Sequence, residues 1–179
     1  MSHTRQLRNL ALIGFMGTGK SCVGRLAADL LHFTFLDTDY VIEARAGKAI
    51  SDIFAQDGEP AFRKLEQRIV EELTRRKRTV IATGGGLPMD EANLASLKTH
   101  ALVICLWASP ESIWKRVRGH NHRPLLNEPD PLGKIRQLLA AREPYYRQAD
   151  VLVNTGMRPV REVAAHVVHQ FRMAQAAHR

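Results

Sequence analysis

Apolar runs alternate with helix-period segments along the chain. Asn9 to Gly14 is a short apolar run of the kind that forms a buried strand, and Lys20 to Leu31 carries a stripe at Val23, Leu26, Ala27, Leu30 and Leu31 that predicts a helix. Phe33 to Asp37 predicts a second strand. Two helical stretches follow, broken around Gly47 and again at Gly58–Pro60, the second running from about 61 to 76 with Phe62, Leu65, Ile69, Val70 and Leu73 on one side. Thr79 to Thr83 predicts a third strand, stopped by Gly84-Gly85-Gly86. A helix over Glu91–Lys98, a strand over Ala101–Trp107 and a helix over Pro110–Arg118 come next. Residues 119–131 are polar and punctuated by proline, the pattern of a mobile loop. A helix to about Arg142, a strand over Val151–Asn154 and a final helix from Pro159 complete the chain. Five strands separated by helices predict an α/β fold of three layers, with a five-stranded parallel sheet covered on both faces. In such sheets ligands bind beyond the carboxyl ends of the strands, and every distinctive motif here falls at such an end.

Composition narrows the classes. The chain has 179 residues and no long polar spacer, so one domain over 1–179 is expected. No apolar run approaches the roughly 20 residues of a membrane span, and the apolar run after the basic start leads into a glycine-rich loop rather than a cleavage site. Cys22 and Cys105 have no metal-ligand spacing, which suits a reduced, cytoplasmic protein. The net charge of +8 is compatible with nucleic acid, an anionic surface or small anionic ligands. The densest cluster, Arg75 to Arg78, lies at a helix end where cations suit the dipole, without the interleaved aromatics of a base-stacking surface. No nucleic-acid or membrane partner is therefore expected.

Residues 14–21, Gly-Phe-Met-Gly-Thr-Gly-Lys-Ser, match G-x-x-x-x-G-K-[ST] between a strand and a helix. Glycines let the backbone turn tightly and aim N–H groups at phosphate oxygens. The helix N-terminus adds its positive end, Lys20 can reach the β- and γ-phosphates, and Ser21 offers a hydroxyl to Mg²⁺. Asp37-Thr38-Asp39 ends the second strand. Alternation puts both carboxylates on one side, near the phosphates if strand two lies close to strand one. One could hold a Mg²⁺-bound water and the other accept a substrate hydroxyl, while helix capping by Asp39 is the structural alternative.

The ordered set of these motifs with Phe62-Arg63-x-x-Glu66, Gly84-Gly85-Gly86, Arg123-Pro124-Leu125-Leu126 and Arg142-x-x-Tyr145 resembles the shikimate kinases over nearly the whole chain, from Leu10 to about Phe171. The resemblance implies a P-loop fold like that of nucleoside-monophosphate kinases, with substrate-binding helices over about 39–76 and a lid over about 119–131. It implies ATP as co-substrate, Mg²⁺ as the metal and shikimate as acceptor, in a monomer. Gly17, Thr18, Gly19, Lys20, Ser21 and Cys22 would bind the ATP phosphates, with Ser21 on Mg²⁺ and Asp37 behind it. Asp39 would bind the shikimate hydroxyls and orient or deprotonate the attacking one. Arg63 and Arg142 would hold the carboxylate, Glu66 would keep Arg63 in place, and Gly84, Gly85 and Gly86 would allow close backbone approach. Arg123 would meet the ATP phosphates from the lid, and Arg116 and Pro159 would flank adenine. Cys22 departs from the threonine common in this family and is expected to point into helix packing.

The residues alone leave alternatives. Arg63 and Glu66 are spaced i,i+3 and could be a surface ion pair. The three glycines could be a plain turn, Tyr145 and Tyr146 could be core, and His120 and His122 flank Arg123 without metal spacing. Competing activities are another small P-loop kinase, acting on gluconate or a nucleoside monophosphate, and a basic nucleic-acid-binding P-loop module.

Overall fold

The computed structural model describes residues 5–119 and 129–177. In chain order it contains β1 (Asn9–Ile13), α1 (Lys20–Leu31), β2 (Thr34–Asp37), α2 (Thr38–Ala46), α3 (Ile50–Gln56) and α4 (Glu59–Leu73). Then come β3 (Thr79–Ala82), a 3-10 turn (Leu87–Met89), α5 (Glu91–His100), β4 (Ala101–Trp107), α6 (Pro110–Val117), α7 (Pro131–Tyr146), β5 (Val151–Asn154) and α8 (Val160–Ala177). The strands form one parallel sheet in the order β2-β3-β1-β4-β5.

Strand alternation divides the interior in two. Leu10 and Leu12 of β1 face a core shared with α1 and α8 residues such as Val23, Ala27, Val167 and Phe171. Ala11 and Ile13 face the opposite core, built from Ile69 and Leu73 of α4, Leu94 and Leu97 of α5, Ile113 of α6 and Ile135 of α7. The predicted three layers follow from this, because a parallel sheet with apolar residues on both faces needs helices on both.

Four sequence expectations change. The helical region before Gly58 is two helices, α2 and α3, the latter burying Ile53 completely, and α4 starts at Glu59 rather than about 61. β2 does not lie beside β1; β3 pairs between them. β2 ends at Asp37 and Asp39 already lies in the first turn of α2, so strand alternation does not relate the two carboxylates. Finally, α7 continues past Arg142 and through Pro144 to Tyr146. A proline removes one helical hydrogen bond, but the next turn buries Tyr146 against the sheet side and anchors its hydroxyl.

The expected loop over 119–131 is defined at its ends. α6 stops at Val117, and Asp130 caps α7 by accepting from the Gly133 N–H at 2.9 Å. Arg123, with His120, His122 and Pro124–Leu126, lies outside the described residues.

Candidate active site

The loop between β1 and α1 opens the site. Gly14, Gly17 and Gly19 all take positive φ, which keeps the turn tight. Thr18 turns its hydroxyl inward to Phe15 O at 2.7 Å, so it braces the loop from inside. Lys20 Nζ donates to the carbonyls of Gly14 and Phe15 at 2.8 and 2.9 Å and thereby lies across the loop's mouth. The Cys22 thiol is exposed, which corrects the expectation that it enters helix packing: the buried side of α1 is formed by Val23, Gly24, Ala27 and Ala28.

Although β3 separates β2 from β1, α1 packs against both β3 and β2. Ser21 at its start consequently meets Asp37 at the end of β2, donating from Oγ to Oδ2 at 2.7 Å. The other oxygen of Asp37 accepts from the N–H groups of Asp39 and Tyr40, so Asp37 and not Asp39 is the cap of α2. Asp39 stands instead against the glycine turn after β3, where a Cβ on Gly84 would lie 2.5 Å from its Oδ1. Its Oδ1 is buried and has no hydrogen-bond partner among the described residues. Burial, reinforced by the negative charge of Asp37, raises its pKa from 3.8 to about 6, with Lys20 and Arg63 pulling the other way.

Arg63 and Glu66 are more than a surface pair. Glu66 is 1% exposed and accepts from Arg63 Nη1 at 2.6 Å. Glu59 takes Nε and Nη2 of the same guanidinium at 3.1 and 2.8 Å. Burial raises the pKa of Glu66 while the Arg63 guanidinium lowers it. Arg63 is thus held by two carboxylates of its own helix, with its outer edge turned toward the glycine turn after β3.

That turn explains its own composition. None of Gly84, Gly85 and Gly86 has positive φ, so backbone conformation alone does not demand glycine. Space does. A Cβ on Gly84 would lie 2.5 Å from Asp39 Oδ1 and 3.2 Å from Glu66 Oε1, and a Cβ on Gly86 would lie 2.7 Å from Arg63 Nη1. At Gly85 the corresponding distances are 3.5 Å to Arg142 Nη1 and 3.5 Å to Gly14 O. Asp39, Arg63, Arg142 and the phosphate loop therefore meet around three consecutive glycines. Gly84 spends its N–H on Thr38 Oγ1 at 2.9 Å.

Arg142 on α7 stacks over Phe15 of the phosphate loop at 5.3 Å. Its neighbour one turn on, Tyr146, is buried and donates from its hydroxyl to Gly85 O at 2.7 Å. The sequence motif drew attention to Tyr145, whereas Tyr146 makes the contact; spacing of i,i+4 from Arg142 was the available signal. Thr38, hidden between two conspicuous aspartates, had no such signal.

Arg116 on α6 donates to Gly17 O at 3.2 Å, to Thr155 Oγ1 at 3.0 Å, and to the carbonyls of Thr155 and Gly156. It ties the phosphate loop to the segment after β5. Pro159, at the start of α8, is exposed on that same segment. Among the described residues no cluster of three histidine, cysteine or acidic side chains is placed to hold a metal, and no helix is long and apolar enough to cross a membrane.

Comparison with known proteins places this geometry. The sequence model of the family described as shikimate kinase matches residues 16–172. A shikimate kinase of Caldanaerobacter subterraneus is 42% identical over 165 residues, covering 92% of this chain and 96% of its own. One from Symbiobacterium thermophilum is 44% identical, covering 90% and 95%. The structure of shikimate kinase from Acinetobacter baumannii in complex with shikimate superposes with a TM-score of 0.89 at 37% identity, over 96% of both chains. A gluconokinase from Sinorhizobium meliloti reaches a TM-score of 0.63 at 16% identity, a likeness of fold alone. By the family match and by relatives above 40% identity across nine-tenths of its length, the chain belongs to the shikimate kinase family.

Proposed function

We propose that this protein transfers the γ-phosphoryl group of ATP to the 3-hydroxyl of shikimate, giving ADP and shikimate 3-phosphate, a step toward chorismate and the aromatic amino acids. The observation that carries the reading is the meeting of Asp39, Arg63 and Arg142 around Gly84–Gly86, beside the phosphate loop. A small acceptor with one carboxylate and several hydroxyls suits that set. Two guanidinium groups can each present paired N–H donors to a carboxylate, and a carboxylate with one buried, unpaired oxygen can accept from a hydroxyl.

Phosphoryl transfer asks for positioning and charge neutralisation more than covalent chemistry, because its transition state is loose. Lys20, at the loop's mouth, is placed to move from the carbonyls of Gly14 and Phe15 onto phosphate oxygens. Asp39, with its pKa near 6, is ionised at neutral pH and weakly basic enough to orient the attacking hydroxyl or take its proton. Glu66 holds Arg63, and Gly85 and Gly86 keep the backbone near the acceptor. Arg116 and Pro159 flank the adenine. Gly17 to Cys22 line the phosphates through their backbone, and Arg123 adds positive charge from the lid over about 119–131, whose closure excludes water.

Mg²⁺ fits the residues present. Ser21 Oγ and Asp37 Oδ2 lie 2.7 Å apart at the loop's end, a hydroxyl and a carboxylate, and Mg²⁺ prefers hard oxygen donors completed by water and phosphate. Bound there, the ion would neutralise phosphate charge, with Ser21 as ligand and Asp37 holding a coordinated water. The protein works in this reading as one monomeric, cytoplasmic domain over residues 1–179.

The experiment is an ADP-release assay with a panel of acceptors: shikimate, gluconate and nucleoside monophosphates. Turnover with shikimate alone is expected; turnover with another acceptor in preference to shikimate would overturn the reading.

A further inference from the structure

Glycine loses more conformational freedom on ordering than any other residue, so three in succession do not hold their own shape. Within the turn, Leu87 N–H bonds to Gly84 O at 3.2 Å and Met89 N–H to Gly86 O at 3.0 Å. Two further bonds come from outside it. The Thr38 hydroxyl oxygen, on a fully buried residue at the start of α2, accepts from the Gly84 N–H at 2.9 Å. The Tyr146 hydroxyl, from the last turn of α7, donates to Gly85 O at 2.7 Å. One pin comes from the strand-to-helix junction that carries Asp37 and Asp39, the other from the helix that carries Arg142. The phenol remains a donor at neutral pH, since burial pushes its pKa up to about 12 against the opposing effect of Arg142.

We propose that Thr38 and Tyr146 are positioning residues of the acceptor site, acting through the glycine turn that they pin from opposite sides. The inference rests on the assignment of Arg63, Arg142 and Asp39 to the acceptor. Each of the three glycines lies against one of those groups: Gly84 against Asp39, Gly85 against Arg142 and Gly86 against Arg63. A turn released from either pin lets this surface spread. Acceptor binding then weakens, whereas the nucleotide site, built chiefly from residues 14–22, changes little.

The test uses Tyr146→Phe, Thr38→Val and Thr38→Ser in the full chain. The readouts are the KM for shikimate, the KM for ATP, kcat, and amide hydrogen exchange over residues 84–87 without ligand. Loss of one neutral hydrogen bond is expected to raise the shikimate KM by about two- to tenfold in Tyr146→Phe and Thr38→Val. The ATP KM should stay within about twofold and exchange over 84–87 should quicken. Thr38→Ser, which keeps the hydroxyl, should behave like the wild type. The proposal is overturned if the shikimate KM is unchanged, if both KM values rise together, or if Thr38→Ser is as damaging as Thr38→Val. Should Thr38→Val fail to fold, Tyr146→Phe, which retains the ring, decides alone. If the wild type proves to use a different acceptor, the substrate assignment falls, and the positioning roles are read from that acceptor's KM and from the same exchange data.

Discussion

Gly86 leaves the space in which Arg63 stands: a Cβ on the glycine would come within 2.7 Å of Nη1 and 2.9 Å of Nη2. The colliding atoms are the far end of a long side chain, so Gly86→Ala can be accommodated by displacing Arg63 from Glu59 and Glu66. The expected result is a lowered melting temperature, because buried Glu66 loses its partner, with a shikimate KM raised by about tenfold, the lower end for one charge-assisted hydrogen bond. Gly14→Ala should destabilise the fold more strongly. Its Cβ would meet Leu106 O at 2.2 Å at a φ of +136°, and neither backbone can yield cheaply. Thermal denaturation of the two variants, with steady-state kinetics of the first, checks the contrast.

Lys20→Ala should fold normally and lose at least about a hundredfold in kcat, the scale on which preorganised charge at a transition state acts. Near-normal turnover in a folded variant, judged by circular dichroism, would remove the loop lysine from the mechanism.

Asp39 sets a pH dependence whose sign follows from its environment. Its pKa is raised in the folded state, so the neutral carboxyl is favoured there, and stability present below pH 3.8 is lost as pH rises through about 6. Asp39→Asn should therefore stabilise the protein at pH 7.5, by at most about 3 kcal/mol from the size of the rise and less because the residue is partly exposed. The gain should vanish toward pH 4. The same variant should lose turnover by about a hundredfold or more, and wild-type kcat/KM should climb with pH through about 6. Denaturant titrations at several pH values and a pH–rate profile read both halves.

Arg63→Lys keeps the charge but not the planar fork. Shikimate affinity should fall by about tenfold, the lower end of the range for a charge-assisted bond, with ATP affinity nearly constant. Shikimate methyl ester should bind poorly to the wild type, and Arg63→Ala should lose most of the preference for acid over ester. Equal phosphorylation of ester and acid by the wild type would sink the carboxylate clamp.

His100 gives a prediction far from the chemistry. It is fully buried, and its Nδ1 lies 2.9 Å from Asn9 Nδ2, which also donates to Arg76 O. Burial and the nearby Arg8 and Arg5 depress its pKa from 6.5 to about 4. Stability present above pH 6.5 should thus decline as pH falls toward 4, and His100→Gln should flatten that decline in acid denaturation curves.

The grouping of Asp39, Arg63 and Arg142 came only as what the resemblance implied, while the hydrophobic pattern and the motifs by themselves determined the five strands, most of the helices and the phosphate loop. These features are local: alternation, helical period and short motifs record which face of an element is buried and where the chain must turn. Only the tertiary structure decided the strand order that inserts β3 between β1 and β2, the bridging of Ser21 to Asp37 across that strand by α1, and the capping role of Asp37. It also decided why Gly84 and Gly86 are glycines. Nothing in residues 84–86 announces that Asp39 and Arg63 will stand against them, because those groups arrive from α2 and α4 through packing. The pins at Thr38 and Tyr146 belong to the same kind, single hydrogen bonds between elements 46 and 61 residues apart in sequence. Such contacts depend on where folded elements come to rest in space, and a linear pattern carries no record of distance.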